Sequence, residues 1–345
     1  MENLIGINSE SLSNWLDENI DFLSKPFEFE LINGGRSNLS YLITDSKSNK
    51  VVLRRPPVSH VLSSAHDMHR EYTMILALKN TGVEVPNPYC YVDDIEITGA
   101  PFYVMSFEDG LILRSVADVQ QHFPGELQRK QLSENLIISL AKLHGVDYAA
   151  AGLGEFKRNE NYVDRLLERW MGQFDKTKGD DSSVNDAVIS TYEKLKNNNP
   201  NNPENTIIHG DYRLDNVVVT KEGKVQAILD WELSTIGDPM SDLGLSLVYW
   251  GNRELDSPLN LPAPTTLDGF MKPNELLEFY SAQSGRSVEH IDYYVSLGYW
   301  KLACILQGVH KRYSSGARAG DSSGVEGFQQ LILTLAVSAQ KVLGD

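Results

Sequence analysis

The segment HGDYRLDNVVVTKEGKVQAILDW, residues 209–231, constrains this chain more than any other. VVVT and VQAIL are apolar runs parted by the turn-forming KEGK, a pattern that predicts a small hairpin. Asn216 stands at its entrance and Asp230 follows its exit, with Asp211 on the loop ahead of both. Polar groups at the ends of buried strands are costly unless something engages them. The apolar strands in turn hold those groups at fixed separations, as a floppy loop would not.

The rest of the chain falls into two unequal parts. Residues 9–22 have the spacing of an amphipathic helix, with Leu12, Trp15, Leu16 and Ile20 recurring on one face. FEFELI, LSYLIT and KVVLRR read as strands separated by the turn-rich NGGRSN and DSKSN, an antiparallel meander ended by Pro56 and Pro57. Ala65 to about Asn80 predicts a helix with Met68, Tyr72, Ile75 and Leu76 on its inner face and Gly82 beyond its end. PYCYVDD and PFYVMSF complete a five-stranded sheet carrying one helix, and EDGLIL is the connector that leaves it. From residue 115 onward helical periodicity dominates, from SENLIISLAKLHG to VEGFQQLILTLAVSAQKVL, interrupted by the hairpin and by loops such as NNNPNNPEN. The outline is an α+β chain, with a sheet lobe over 1–108 and a larger, mainly helical lobe over 109–345. A length of 345 residues suits such a division.

Composition closes off several function classes. A formal charge of −16 gives no basic footprint for nucleic acid. No apolar run approaches the roughly 20 residues that span a bilayer, and the acidic start MENLIGINSESLSNWLDENIDF lacks the plan of a signal peptide. Cys90 and Cys304 form no disulfide framework, which fits a reducing compartment, so the expected location is the cytoplasm. The expected partner is a small hydroxylated molecule, and a homodimer is an assembly open to such a chain.

The D-x-x-x-x-N of Asp211 to Asn216, followed fourteen residues later by Asp230, has the spacing of a kinase catalytic apparatus. That chemistry needs one carboxylate to take or orient the proton of an acceptor hydroxyl, and oxygen ligands to hold magnesium against nucleotide phosphates. IIHGDYRLDN together with AILDWELSTIGDPMSDLG resembles the aminoglycoside phosphotransferase-like family, which also takes in choline kinase-like members. It is similar in particular to the branch fused to some acyl-CoA dehydrogenases. The resemblance runs from GGRSN to QGVHKRY and implies a protein-kinase-like bilobal fold.

It also implies roles. Asp211 is the expected catalytic base or hydroxyl-orienting carboxylate, with Asn216 and Asp230 as magnesium ligands. The turn over the nucleotide phosphates is NGGRSN, in which Gly34, Gly35, Arg36, Ser37 and Asn38 are the expected cofactor contacts. Glu71, in HREYTMILAL, is the helix carboxylate that pairs with a strand cation. That cation is Arg54, in VVLR, where protein kinases carry a lysine, and Arg55 next to it should point to the opposite face of the strand. An arginine fork can bridge phosphate and Glu71, although its length and planarity differ from those of lysine. DWE in place of D-F-G is a second departure.

Blander readings compete. Asp, Asn and Gly are common in turns, but three polar residues at this spacing around one hairpin exceed that account. His209 reads better as a structural hydrogen-bonding residue than as a reactant, and Asp238 and Asp242 read as loop-steadying or capping residues. Arg213 and Asp215 either shape the loop or touch substrate. His310, Lys311, Arg312 and Arg318 form a cationic run late in an acidic chain. It either complements a helix C-terminus or, through Lys311 and Arg312, receives an anionic substrate.

The leading expectation is an ATP- or GTP-dependent, magnesium-assisted phosphotransferase with an alcohol acceptor, a hydroxy acid or hydroxyacyl-CoA being the class the branch suggests. The alternatives are a catalytically silent nucleotide-binding protein, a metal-dependent hydrolase, or a kinase of a sugar, choline-like or aminoglycoside acceptor.

Overall fold

The computed structural model describes residues 4–32, 38–58, 67–202, 204–251, 263–314 and 327–344. The first lobe is built from α1 (Ser9–Asn19), β1 (Glu28–Leu31), β2 (Leu39–Thr44), β3 (Lys50–Arg55), α2 (Met68–Leu78), β4 (Pro88–Val92), the short α3 (Ile95–Thr98) and β5 (Phe102–Ser106). The strands form one antiparallel sheet in the order β1-β2-β3-β5-β4. Because strand side chains alternate, β3 divides its residues between two faces. Val51 and Leu53 pack with Leu12 and Leu16 of α1 and with Ile20 just after it, whereas Val52 packs with Met68, Met74, Ile75 and Leu78 of α2. The sheet therefore carries a helix on each face and not one alone.

A second sequence expectation is adjusted in α2. Leu76 is exposed, and the inner stripe of α2 is completed by Met74 and Leu78 instead. Asn8 accepts from the backbone N–H groups of Glu10 and Ser11 to start α1, and Asp67 accepts from Arg70 N–H to start α2, the role short polar side chains serve at helix entrances.

The second lobe comprises α4 (Val116–His122), α5 (Glu126–His144), α6 (Tyr162–Thr177), α7 (Ser182–Asn197), β6 (Thr206–Ile208), β7 (Val217–Val219), β8 (Val225–Ile228), β9 (Thr235–Gly237), α8 (Pro239–Trp250), α9 (Pro273–Ser284), α10 (Ile291–Ser314) and α11 (Phe328–Leu343). The chain is thus bilobal, a five-stranded antiparallel sheet lobe joined to a larger helical one. No described helix is long and apolar enough to cross a membrane.

The joint is specific. Leu111 and Val219 exchange both backbone hydrogen bonds, at 2.8 and 2.9 Å, and Ile228 N–H donates to the Glu84 carbonyl at 2.8 Å. The hairpin of the second lobe is thereby stitched to the connector and to the first lobe. β7 pairs with β8, and β6 pairs with β9. The segment 206–237 thus runs strand, loop, hairpin, loop, strand, with both loops held at their roots by buried apolar residues such as Ile207, Ile208, Val217 and Ile228.

Candidate active site

The loop leaving β6 is fixed before it reaches Asp211. Asp242, buried on α8, accepts from His209 N–H at 2.5 Å and from Gly210 N–H at 2.7 Å. His209 uses both ring nitrogens: Nδ1 accepts from Asp211 N–H at 3.2 Å and Nε2–H faces the Leu229 carbonyl at 2.8 Å. Those partners define one neutral tautomer, so His209 holds the two loops together, as the structural reading expected. Asp238 caps α8 through Met240 N–H and receives the Tyr294 hydroxyl.

Asn216 donates from Nδ2 to the backbone oxygen of Asp211 at 2.9 Å and to its Oδ2 at 3.0 Å. The amide nitrogen is spent on Asp211, so the atom Asn216 offers a cation is Oδ1. Leu229 N–H donates to the Asn216 carbonyl at 2.8 Å, which places Asp230 beside Asn216 across the hairpin mouth. Asp230 takes a left-handed backbone conformation, φ 65°, as it leaves β8. A non-glycine residue there costs on the order of 1–2 kcal/mol, and the turn aims its carboxylate at β3.

Arg54 meets it. Its Nε donates to Glu71 Oε2 at 3.0 Å, its Nη2 donates to Asp230 Oδ1, and Glu232 Oε2 lies 3.9 Å from the same nitrogen. Burial disfavours the cation, yet Glu71 and Asp230 outweigh it and keep the Arg54 pKa above that of a free arginine. Burial raises the Glu71 carboxyl, against the pull of Arg54. Arg55 turns to the other face and donates to the Thr98 carbonyl at 2.6 Å, as strand alternation requires.

One oxygen from each of Glu71, Asp230 and Glu232 lies within 4.8 Å of the others, and Glu71 Oε1 is buried with no hydrogen-bond partner among the described residues. Three carboxylates against one guanidinium leave two formal negative charges. An all-oxygen donor set with that charge suits magnesium, a hard divalent cation. These residues therefore fit the metal that the sequence reading invoked.

Around Asp211, itself half-buried, the environment is cationic. Burial pushes its carboxyl above the usual carboxylate range, against the opposing pull of Arg213 and Lys301. Arg213 Nε lies 3.4 Å from Asp211 Oδ2, Nη2 lies 3.0 Å from Asp215 Oδ2, and its guanidinium carbon sits 4.9 Å from the Tyr249 ring centroid.

The structure thus gathers Asp211, Asn216, Arg213 and Asp215 on one loop, and Asp230, Arg54 and Glu71 beside it. Asn38 joins them by donating from Nδ2 to Glu232 Oε2 at 3.1 Å. Gly34, Gly35, Arg36 and Ser37 lie outside the described residues, as does Arg318. Lys311 and Arg312 are exposed in the last turn of α10, about 15 Å along the helix axis from Lys301, and are not brought to this cluster.

Three participants escaped the sequence reading. Glu232 was signalled only as the third letter of DWE. Tyr249 and Lys301 lie in apolar helical stretches, where a lone lysine between Trp300 and Leu302 is the one visible irregularity.

A model of the phosphotransferase enzyme family matches residues 28–261. Acyl-CoA dehydrogenase family member 11 of Gallus gallus is 32% identical over 316 residues, covering 88% of this chain and 39% of that protein. Acyl-CoA dehydrogenase family member 10 of Mus musculus is 31% identical over 305 residues, covering 84% of this chain and 27% of that protein. The chain thus spans only a quarter to two fifths of the length of these curated relatives. A solved structure of a putative aminoglycoside phosphotransferase from Ralstonia eutropha superposes with a TM-score of 0.79 at 27% identity, covering 97% of this chain and 99% of that one. Spectinomycin phosphotransferase, solved with ADP and spectinomycin, shares the fold at a TM-score of 0.62 and 14% identity, over 96% and 98% of the two chains.

Proposed function

The chain belongs to the phosphotransferase enzyme family, and from that premise we propose that it moves the γ-phosphoryl group of ATP or GTP onto a hydroxyl of a small molecule. The lobe boundary falls at residues 108 and 109, and the cleft between the lobes is the site of transfer. The observation that carries this reading is the meeting of Asp211, Asn216 and Asp230 at one hairpin mouth, opposite the Arg54–Glu71 pair.

In this reading Asp211 takes up the proton of the acceptor hydroxyl as the new oxygen–phosphorus bond forms and the bond to the leaving diphosphate breaks. Its carboxylate is kept in place by Asn216 and by the peptide links to His209 and Asp242. Arg54 reaches the nucleotide phosphates while Glu71 holds its Nε, so the fork keeps one fixed edge. Asn216 and Asp230, with Glu232 beside them, would hold a magnesium ion, which when bound would offset charge on the phosphate oxygens. Asn38 braces Glu232 from the turn between β1 and β2.

The relatives' description as acyl-CoA dehydrogenase family members makes a hydroxy acid or a hydroxyacyl-CoA the acceptor class to test first. A library of hydroxylated metabolites screened for ADP formation, with Asp211→Asn as the blank, decides it. Turnover confined to sugars, choline-like alcohols or aminoglycosides would replace that acceptor class. Magnesium-dependent nucleotide binding without turnover on any of them would overturn the transfer itself.

Two further outcomes are expected. Glu71→Ala releases the Nε edge of Arg54, leaving it held only by Asp230 and Glu232, and should lower kcat/KM for the nucleotide by about 10–100-fold, the usual cost of removing a group that orients a metal site. Steady-state kinetics unchanged from wild type would remove Glu71 from the site. If the end of α10 receives an anionic acceptor, Arg312→Gln should raise KM for acidic acceptors by about twofold to fivefold, the worth of one exposed charge. Neutral acceptors should be untouched, and an equal change for both would rule that surface out.

A further inference from the structure

Lys301 is buried in the middle of α10, and its Nζ donates to the Gly210 carbonyl at 2.8 Å. Gly210 immediately precedes Asp211. Its φ is +85°, and a Cβ there would stand 2.7 Å from the Leu233 carbonyl oxygen, so the position requires glycine and gains no stiffness from a side chain. The peptides around it are held from outside instead. Asp242 on α8 takes the N–H groups of His209 and Gly210, and Lys301 on α10 takes the carbonyl that leads into Asp211. An anion and a cation from two helices thus hold the N–H and the C=O of one residue.

The helices are arranged for this. Gly244 of α8 lies so close to α10 that a Cβ would be 2.5 Å from the carbonyl carbon of Tyr294. Tyr294, Gly298 and Lys301 share one face of α10 at helical spacing, and Tyr294 reaches Asp238 at the start of α8. The same face therefore grips the entrance of α8 and the peptide before Asp211. The cavity beside Lys301, bordered by Tyr162, Ser241 and Asp242, measures only about 10 Å³, room for one water at most. No substrate reaches Lys301 there, so it acts through the loop.

We propose that Lys301 is a positioning residue for phosphoryl transfer: by holding the Gly210 carbonyl it sets the direction in which the Asp211 carboxylate meets the acceptor hydroxyl. The inference rests on the transfer reading above. It separates Lys301 from the nucleotide contacts, because the residues it fixes carry Asp211 and not Arg54.

Lys301→Met keeps the apolar stem and removes the donor, and Lys301→Gln restores a donor one atom nearer the backbone. Three quantities are read in the full chain: the thermal midpoint, the affinity for a non-hydrolysable ATP analogue with magnesium, and kcat for Asp211-dependent ADP formation with the best acceptor from the hydroxylated library. For Lys301→Met, kcat should fall by about 10–100-fold, as expected for a reacting group displaced by around an ångström, with analogue affinity within about twofold of wild type. Lys301→Gln should recover part of the loss. A wild-type kcat in folded Lys301→Met, or analogue affinity falling in step with kcat, overturns the proposal while leaving the transfer reading intact. Absence of Asp211-dependent ADP formation in the unsubstituted protein overturns the transfer reading itself, and the positioning role with it.

Discussion

Asp211→Asn should lower kcat by about 10²–10⁴-fold, the range associated with losing a positioned proton acceptor, with nucleotide affinity within about twofold of wild type. Its thermal midpoint at neutral pH should be equal to or above that of wild type. The two effects share an origin. Burial raises the Asp211 carboxyl above its ordinary pKa more than Arg213 and Lys301 lower it. A carboxyl whose folded pKa exceeds its unfolded one favours the folded state at low pH and loses that advantage as pH rises through the folded value. At neutral pH the ionised side chain is therefore a cost to stability, which the amide removes while keeping the shape. The midpoint difference between variant and wild type should shrink as pH is lowered toward the ordinary aspartate range, as differential scanning calorimetry across pH would register. A variant that is both inactive and strongly destabilised would mark Asp211 as a structural residue.

Local pattern made much of this molecule legible in advance. The apolar runs on either side of KEGK became β7 and β8, and the polar residues at their ends met as that hairpin required. Alternation along β3 separated Arg54 from Arg55, whereas the pairing of Glu71 with Arg54 was implied by the family resemblance and not by the spacing of α2. What stayed hidden depends on contacts remote in sequence. Lys301 lies ninety-one positions after the carbonyl it holds, and nothing around it differs from a core-facing helix except its charge. Asp242 read as a loop-steadying or capping residue and does steady a loop, but that the loop is the one carrying His209 and Gly210 follows only from a contact across the lobe. Even α1 was legible as a helix yet not as the cover of the second sheet face, since its stripe says that it packs and not what it packs against. Three-stranded and hairpin units carry their own geometry in the order of residues; pairings between helices and loops do not.

Asp230→Ala should lower kcat by about 10²–10³-fold, the typical loss on removing one group that meets developing charge, and should abolish the dependence of nucleotide affinity on magnesium. Stability should not follow. Breaking a buried ion pair usually costs about 3–5 kcal/mol because one charge is left uncompensated, but here Arg54 keeps Glu71 at 3.0 Å and Glu232 at 3.9 Å. The cluster loses one of three crowded carboxylates and its mutual repulsion eases. Asp230→Gly separates backbone from carboxylate. Glycine adopts the left-handed conformation found at φ 65° without the penalty of about 1–2 kcal/mol that alanine bears there. The glycine variant should accordingly melt above the alanine variant while being equally inactive. Calorimetric titration of a non-hydrolysable ATP analogue, with and without magnesium, reads the metal dependence directly. If either variant still binds the analogue more tightly when magnesium is added, the cation is held elsewhere. Equal melting of the two would instead mean that the turn after β8 does not constrain residue 230.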